Sequence, residues 1–191
     1  SIIGNLIDSA LVIENNNATA INFNDNTPDE KACLFLKNKF NSIDLAMLNY
    51  NAAGPYPSCF DNLDIQEKSS ESKRIIKRNL DHLCNIIPIL QPKSVLPFAG
   101  AYVIGGKNYF KNEYLGTTNW DKCAEYLNTN LKFNSNVFCL RENQTYDIKD
   151  QRQLDKYKKL DFKEMKNYIQ SIKDKKYDYE NDDMPNVSEL E

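Results

Sequence analysis

Ile43–Phe60 reads IDLAMLNYNAAGPYPSCF. Ile43–Tyr50 is a short apolar run of strand length. Asn51–Phe60 follows with two prolines and a glycine and reads as a loop. An apolar strand that opens into a small-residue loop is the repeating unit of α/β domains, where ligands collect at the carboxyl ends of strands.

Upstream, Ser9–Asn26 reads SALVIENNNATAINFNDN. Two β-rich runs, Ala10–Ile13 and Ala18–Phe23, flank Asn15-Asn16-Asn17 and predict a hairpin, because asparagine tolerates left-handed turns. The second run ends in Asn24-Asp25-Asn26. Thr27-Pro28-Asp29-Glu30 then predicts a helix start, with Thr27 as N-cap and Pro28 at the first helical position. That helix should reach about Phe40, burying Cys33, Leu34, Leu36 and Phe40.

Downstream, Glu67–Leu90 predicts a long helix with Ile76, Leu80, Leu83, Cys84 and Ile87 on one arc, closed by Pro88 and Pro92. Ser94–Pro97 is a further short strand that runs into Phe98-Ala99-Gly100-Ala101-Tyr102. Asn119 caps a predicted helix over Trp120–Leu127, Asn136–Leu140 predicts a strand, and Leu154–Ile172 a charged helix. Strands alternating with helices indicate a layered α/β fold. We expect one structural unit over residues 1–172 and a charged, unstructured tail over 173–191.

The chain has 191 residues, a net charge of −3 and 41% hydrophobic residues, enough for one self-supporting core. Its mild acidity argues against a nucleic-acid partner. No apolar run approaches the roughly 20 residues of a membrane helix, and no secretory leader pattern opens the sequence. Cys33, Cys59, Cys84, Cys123 and Cys139 form no C-x-x-C pair and read as free thiols, which suits a reducing, cytoplasmic setting. Cys59 stands apart in the Pro/Gly loop. The single histidine, His82, limits any triad or histidine-bearing zinc site within this chain. Placed on its helix, it points away from the apolar arc, toward solvent. Lys73, Arg74, Lys77 and Arg78 share that helix and read as a solvated face.

Three strand exits carry the candidate chemistry: Asn24–Asn26, Asn49–Phe60 and Pro97–Tyr102. If their strands are parallel, the exits share one edge and can build one pocket. Asp25 reads either as a carboxylate metal ligand or as a turn aspartate bonding nearby backbone N–H groups. Gly54 and Gly100 either admit a ligand close to the backbone or simply make tight turns. Gly105-Gly106-Lys107 lacks the phosphate-loop spacing and reads as a turn.

Asp8–Asn26, Ile43–Phe60 and KSVLPFAGAYVIGG (Lys93–Gly106) resemble the C-terminal half of metallo-β-lactamase-fold hydrolases, near the ascorbate-phosphate lactonase and CMP-sialic acid hydroxylase branch. The likeness spans about two-thirds of the chain, and NYNAAGPYP and VLPFAGAY are its most specific strings. It implies an αβ/βα sandwich of two halves, zinc or another divalent metal in the complete protein, and Asp25 as the carboxylate that bridges two metals. Metal-bound water would then attack an ester, lactone or phosphoester bond. It implies a substrate pocket around Asn51, Pro55, Tyr56, Cys59, Phe98, Gly100 and Tyr102, with Tyr56 as a hydrogen-bond donor. The family's H-x-H-x-D-H motif is absent here, and Phe98 stands where its last metal histidine belongs. One expectation is therefore a C-terminal portion of a longer hydrolase, inactive alone, which pairs with the missing half or with itself through an exposed face. The alternatives are a metal-free binding module of the same fold and an interaction subunit.

Overall fold

A computed structural model describes residues 9–15 and 17–177. The described residues divide into a larger unit, within 9–102 and 114–159, and a smaller one, 103–113 and 160–177. The larger unit holds β1 (Leu11–Glu14), β2 (Thr19–Asn22), α1 (Glu30–Lys39), β3 (Leu45–Asn49), α2 (Ile65–Leu90), β4 (Ser94–Phe98), α3 (Trp120–Asn130) and β5 (Asn136–Val137). It ends with a small antiparallel pair, β6 (Tyr146–Asp147) and β7 (Arg152–Gln153).

The main sheet runs β1-β2-β3-β4-β5 in chain order. β1 is antiparallel to β2, and β2, β3, β4 and β5 are mutually parallel. Asn15 closes the hairpin by accepting from the N–H groups of Asn17 and Ala18 through its side chain, while Asn16 lies outside the described residues. Parallel crossovers share one hand, so a sheet that grows in one direction places its helices on one face. Residues of α1, α2 and α3, among them Cys33, Leu36, Leu83, Ile87, Cys123 and Leu127, pack there on Ile21, Ala46, Leu48 and Val95.

The opposite face follows from the register. Leu11 pairs with Asn22, Ile13 with Ala20, Met47 with Leu96 and Asn49 with Phe98, so these residues point the same way. Phe138, Leu140, Tyr146 and Ile148 cover part of it around Ala20 and Leu45. Phe138 and Tyr146 stack at 3.7 Å. Leu11 and Ile13 remain 58% and 56% exposed.

Local chemistry moves several expected boundaries. Asp29, not Thr27, caps α1, because its carboxylate accepts from Ala32 N. Asp64 and Glu67 form a capping box that starts α2 at Ile65. Pro88 lies inside α2 rather than closing it. The helix continues to buried Leu90 and stops where Gln91 turns left-handed at φ 55°. The strand expected over Asn136–Leu140 pairs only at Asn136–Val137.

The helix expected over Leu154–Ile172 is also shorter. Leu154 bonds Thr145 through its N–H, and Tyr157 is tied to α3, so neither is free to enter a helix. α4 (Phe162–Ser171) starts only after Asp161, whose carboxylate accepts from Lys163 and Glu164 N–H groups.

A 3₁₀ helix spans Gly106–Tyr114, of which residues 106–113 belong to the smaller unit. The Asn112 side chain accepts from Ile104 N at 2.8 Å and donates to Ile104 O at 2.7 Å. Gly106 has φ +62°, and a Cβ there would lie 2.8 Å from Lys175 O, so the glycine pair permits close backbone packing as well as a turn. Of the expected tail, residues 173–177 are described and 178–191 lie outside the described residues. Among the described residues, no helix is long and apolar enough to cross a membrane.

Candidate ligand site at the carboxyl edge of the sheet

Because β2, β3 and β4 are parallel, their exits do reach one edge. Two asparagines from NYN organise it. Asn49 is buried at the end of β3, and its Nδ2 donates to Asp25 O at 2.9 Å, which ties the β2 exit to β3. Its Oδ1 accepts from Asn51 N at 3.0 Å.

Asn51 is 3% exposed and spans farther. Its Nδ2 donates to Gly100 O and to Thr118 O, each at 2.7 Å, and its Oδ1 accepts from Thr118 N at 2.8 Å. The segment before Thr118 is itself held on α2, where Ser72 Oγ donates to Leu115 O at 2.6 Å. One side chain therefore fixes the β4 exit and the approach to α3. Gly100 has φ +118°, and a Cβ there would stand 2.9 Å from Asn51 Cβ, so the close approach excludes a side chain. Tyr102 OH donates to Gly54 O at 2.7 Å and joins the two loops again. Burial raises the Tyr102 phenol above its ordinary range.

The remaining residues named from sequence sit differently. Tyr56 is exposed and donates to Glu71 Oε2 at 2.8 Å, packing edge-on against Phe60 at 5.0 Å. Arg74 grips the same Glu71 with two bonds, and the bonds from Arg74 and Tyr56 hold that carboxyl down to about 2. Pro55 is exposed, Cys59 is half-buried and Phe98 is 37% exposed.

Asp25 is exposed, and its backbone carbonyl, not its carboxylate, is what Asn49 holds. Among the described residues, no group of three His, Cys, Asp or Glu could hold a metal ion. Phe98 brings no donor atom to the edge. The described residues at this edge do not fit a metal centre, since one carboxylate cannot hold a catalytic ion.

A cavity of about 290 Å³ lies beside this edge. Thr27, Asn49 and Asn51 line one side and Arg78, Asn79 and His82 of α2 the other. Of the pocket residues named from sequence, only Asn51 lines it. His82 is half-buried rather than on a free solvent face, because its Nε2 donates to Pro28 O at 2.9 Å. The missed signal was the i, i+4 pair Arg78 and His82, which shares one side of α2. Thr118 carried no signal, since it lies 67 residues from Asn51.

Compared with family models, curated proteins and solved structures, the chain matches none.

Proposed function

We propose that this chain is one half of a metallo-β-lactamase-like hydrolase fold, the half that supplies the loop wall of the substrate site, and that it is inactive alone. The observation that carries this reading is the uncovered β1 end of the sheet's opposite face. Three helices pack on one face, while the opposite face presents Leu11 and Ile13 at more than half exposure. A half-sandwich presents such a face to its counterpart. The shared edge of the three strand exits supports the placement of the site, and the Asn51 bonds support loops held rigid for binding.

No catalytic step is assigned to a metal here, because the ligand set is incomplete. In this reading Asp25 is the sole carboxylate the chain offers, and histidines would come from the other half. Five unpaired cysteines support a reducing, cytoplasmic setting. A second reading is a metal-free binding module: if the resemblance holds, Phe98 stands where the family's last metal histidine belongs, and a phenylalanine cannot bind metal.

Sedimentation of the full chain tests the half-sandwich. Self-association, or binding of a hydrophobic dye, is expected, and Leu11→Lys with Ile13→Lys should abolish it without lowering the melting temperature. A monomer that binds no dye overturns the reading. Zinc titration by calorimetry should show no stoichiometric site in the chain alone, and a tight one would place a metal centre within it after all.

A further inference from the structure

Lys73, Arg74, Lys77 and Arg78 crowd six residues of α2. Arg74 is paired with Glu71 at 2.7 Å and Lys77 with Asp81 at 2.5 Å. Arg78 is different. Its Nε and a terminal nitrogen reach only Asn79 Oδ1, at 3.3 and 3.2 Å, near the long limit of a hydrogen bond. Among the described residues it has no carboxylate partner, and it lines the cavity at the carboxyl edge.

Its neighbours there are suited to an acceptor. Among the described residues, no Asp or Glu lines the cavity. Asn79 Nδ2 is buried with no acceptor. His82 is oriented by its Nε2–H bond to Pro28 O, so its neutral ring presents Nδ1 as an acceptor, fit for a ligand hydroxyl rather than for the anion. The facing side, with Thr27 and Asn49, is neutral and polar. About 290 Å³ suits a small metabolite at the lower end of ligand pockets.

We propose that this cavity binds a small hydroxylated oxyanion, with the Arg78 guanidinium taking the anionic group and His82 Nδ1 and the Thr27–Asn49 side facing the hydroxyls. A guanidinium fork matches both carboxylate and phosphate oxygens. The site goes beyond the half-sandwich reading and stands if that reading falls, since every residue it uses belongs to this chain.

The test is a calorimetric titration of the full chain with D-gluconate and with sn-glycerol 3-phosphate at constant ionic strength. Saturable binding tighter than about 10 mM is expected for at least one probe. The tighter of the two identifies the anion as carboxylate or phosphate. Arg78→Gln should weaken it about tenfold or more, as loss of a charged hydrogen bond does. Lys73→Gln, equally exposed, should leave it unchanged. Both variants should keep the wild-type melting temperature. Saturation by neither probe, or equal weakening in both variants, overturns the proposal, the latter because it describes a diffuse cationic surface rather than a site.

Discussion

At the amino edge of the main sheet, Asp44 accepts from Lys93 Nζ at 2.6 Å and from Thr19 N at 2.8 Å. At the carboxyl edge, the same strands and loops are joined by neutral amides, Asn49 and Asn51. Both edges satisfy backbone groups that would otherwise be buried unpaired, yet only the first does so with charge. The difference matters for binding. A buried carboxylate at the carboxyl edge would repel an anion and hold Arg78 in an internal pair. Amides fix the loops and leave the guanidinium uncommitted.

Asn51→Leu should break the comparison most severely. It strands Gly100 O and both backbone groups of Thr118, and buried unpaired groups cost about 1–3 kcal/mol each. A loss of about 4 kcal/mol in urea unfolding is expected. A loss below about 1 kcal/mol would mean that the exits are held by their backbones instead. Gly100→Ala comes next, at about 3 kcal/mol, because it combines positive φ with a 2.9 Å contact.

Asp44→Asn should cost less, about 1–2 kcal/mol, since Lys93 is half exposed and keeps water as a partner. Its signature lies in pH. Burial pushes the Asp44 carboxyl up, but hydrogen bonds from Lys93 and Thr19 and the Lys93 charge outweigh it, so the folded value lies below the ordinary one. The stabilisation is complete above the unfolded value, about 3.9, and is lost as pH falls through the lower folded value. Thermal melts from pH 6 down to about 2 should therefore converge for wild type and variant at the acid end. Parallel curves would assign the edge to hydrogen bonding alone.

Tyr157→Phe gives the smallest effect, about 1 kcal/mol, and sharpens the contrast from outside either edge. Its hydroxyl accepts from Trp120 Nε1 at 2.8 Å and donates to Asp121 at 2.6 Å, which pins the segment after β7 to α3. Burial and the Asp121 bond raise this phenol, so no ionisation step should appear in the melts below pH 10.

Much of the architecture was legible because apolar runs mark strands in any context. Leu45–Asn49 falls within the run IDLAMLNY, Ser94–Phe98 outruns the expected Ser94–Pro97 by one residue, and the Asn-rich turn lies between β1 and β2. The shared edge was legible as soon as the strands were taken as parallel. What failed depended on competition between alternatives. Leu154 and Tyr157 fit a helical stripe, but distant partners at Thr145 and Asp121 claim them first. Pro88 is a helix breaker by local rule, yet Leu90 is fully buried beyond it, and that packing carries the helix through. The cavity was missed because a strand exit and a face of α2 meet only in three dimensions. The Tyr56 hydroxyl was read as a hydrogen-bond donor, and the partner it has in the structure is Glu71, which Arg74 also holds; that pair lies on α2 and carried no signal in the loop sequence.

The strand order has a consequence for synthesis. In the main sheet each described strand after the first pairs with the one made just before it, and none is inserted between earlier neighbours. A nascent chain leaving the ribosome can thus extend one growing border, strand by strand, without undoing any pairing. The amino-edge clamp closes once Lys93 has emerged, whereas Thr118 arrives later. Translation itself therefore schedules the scaffold before the binding edge, and a chain emerged only to about residue 102 would carry β1–β4 with the Thr118 lock on its loops still open.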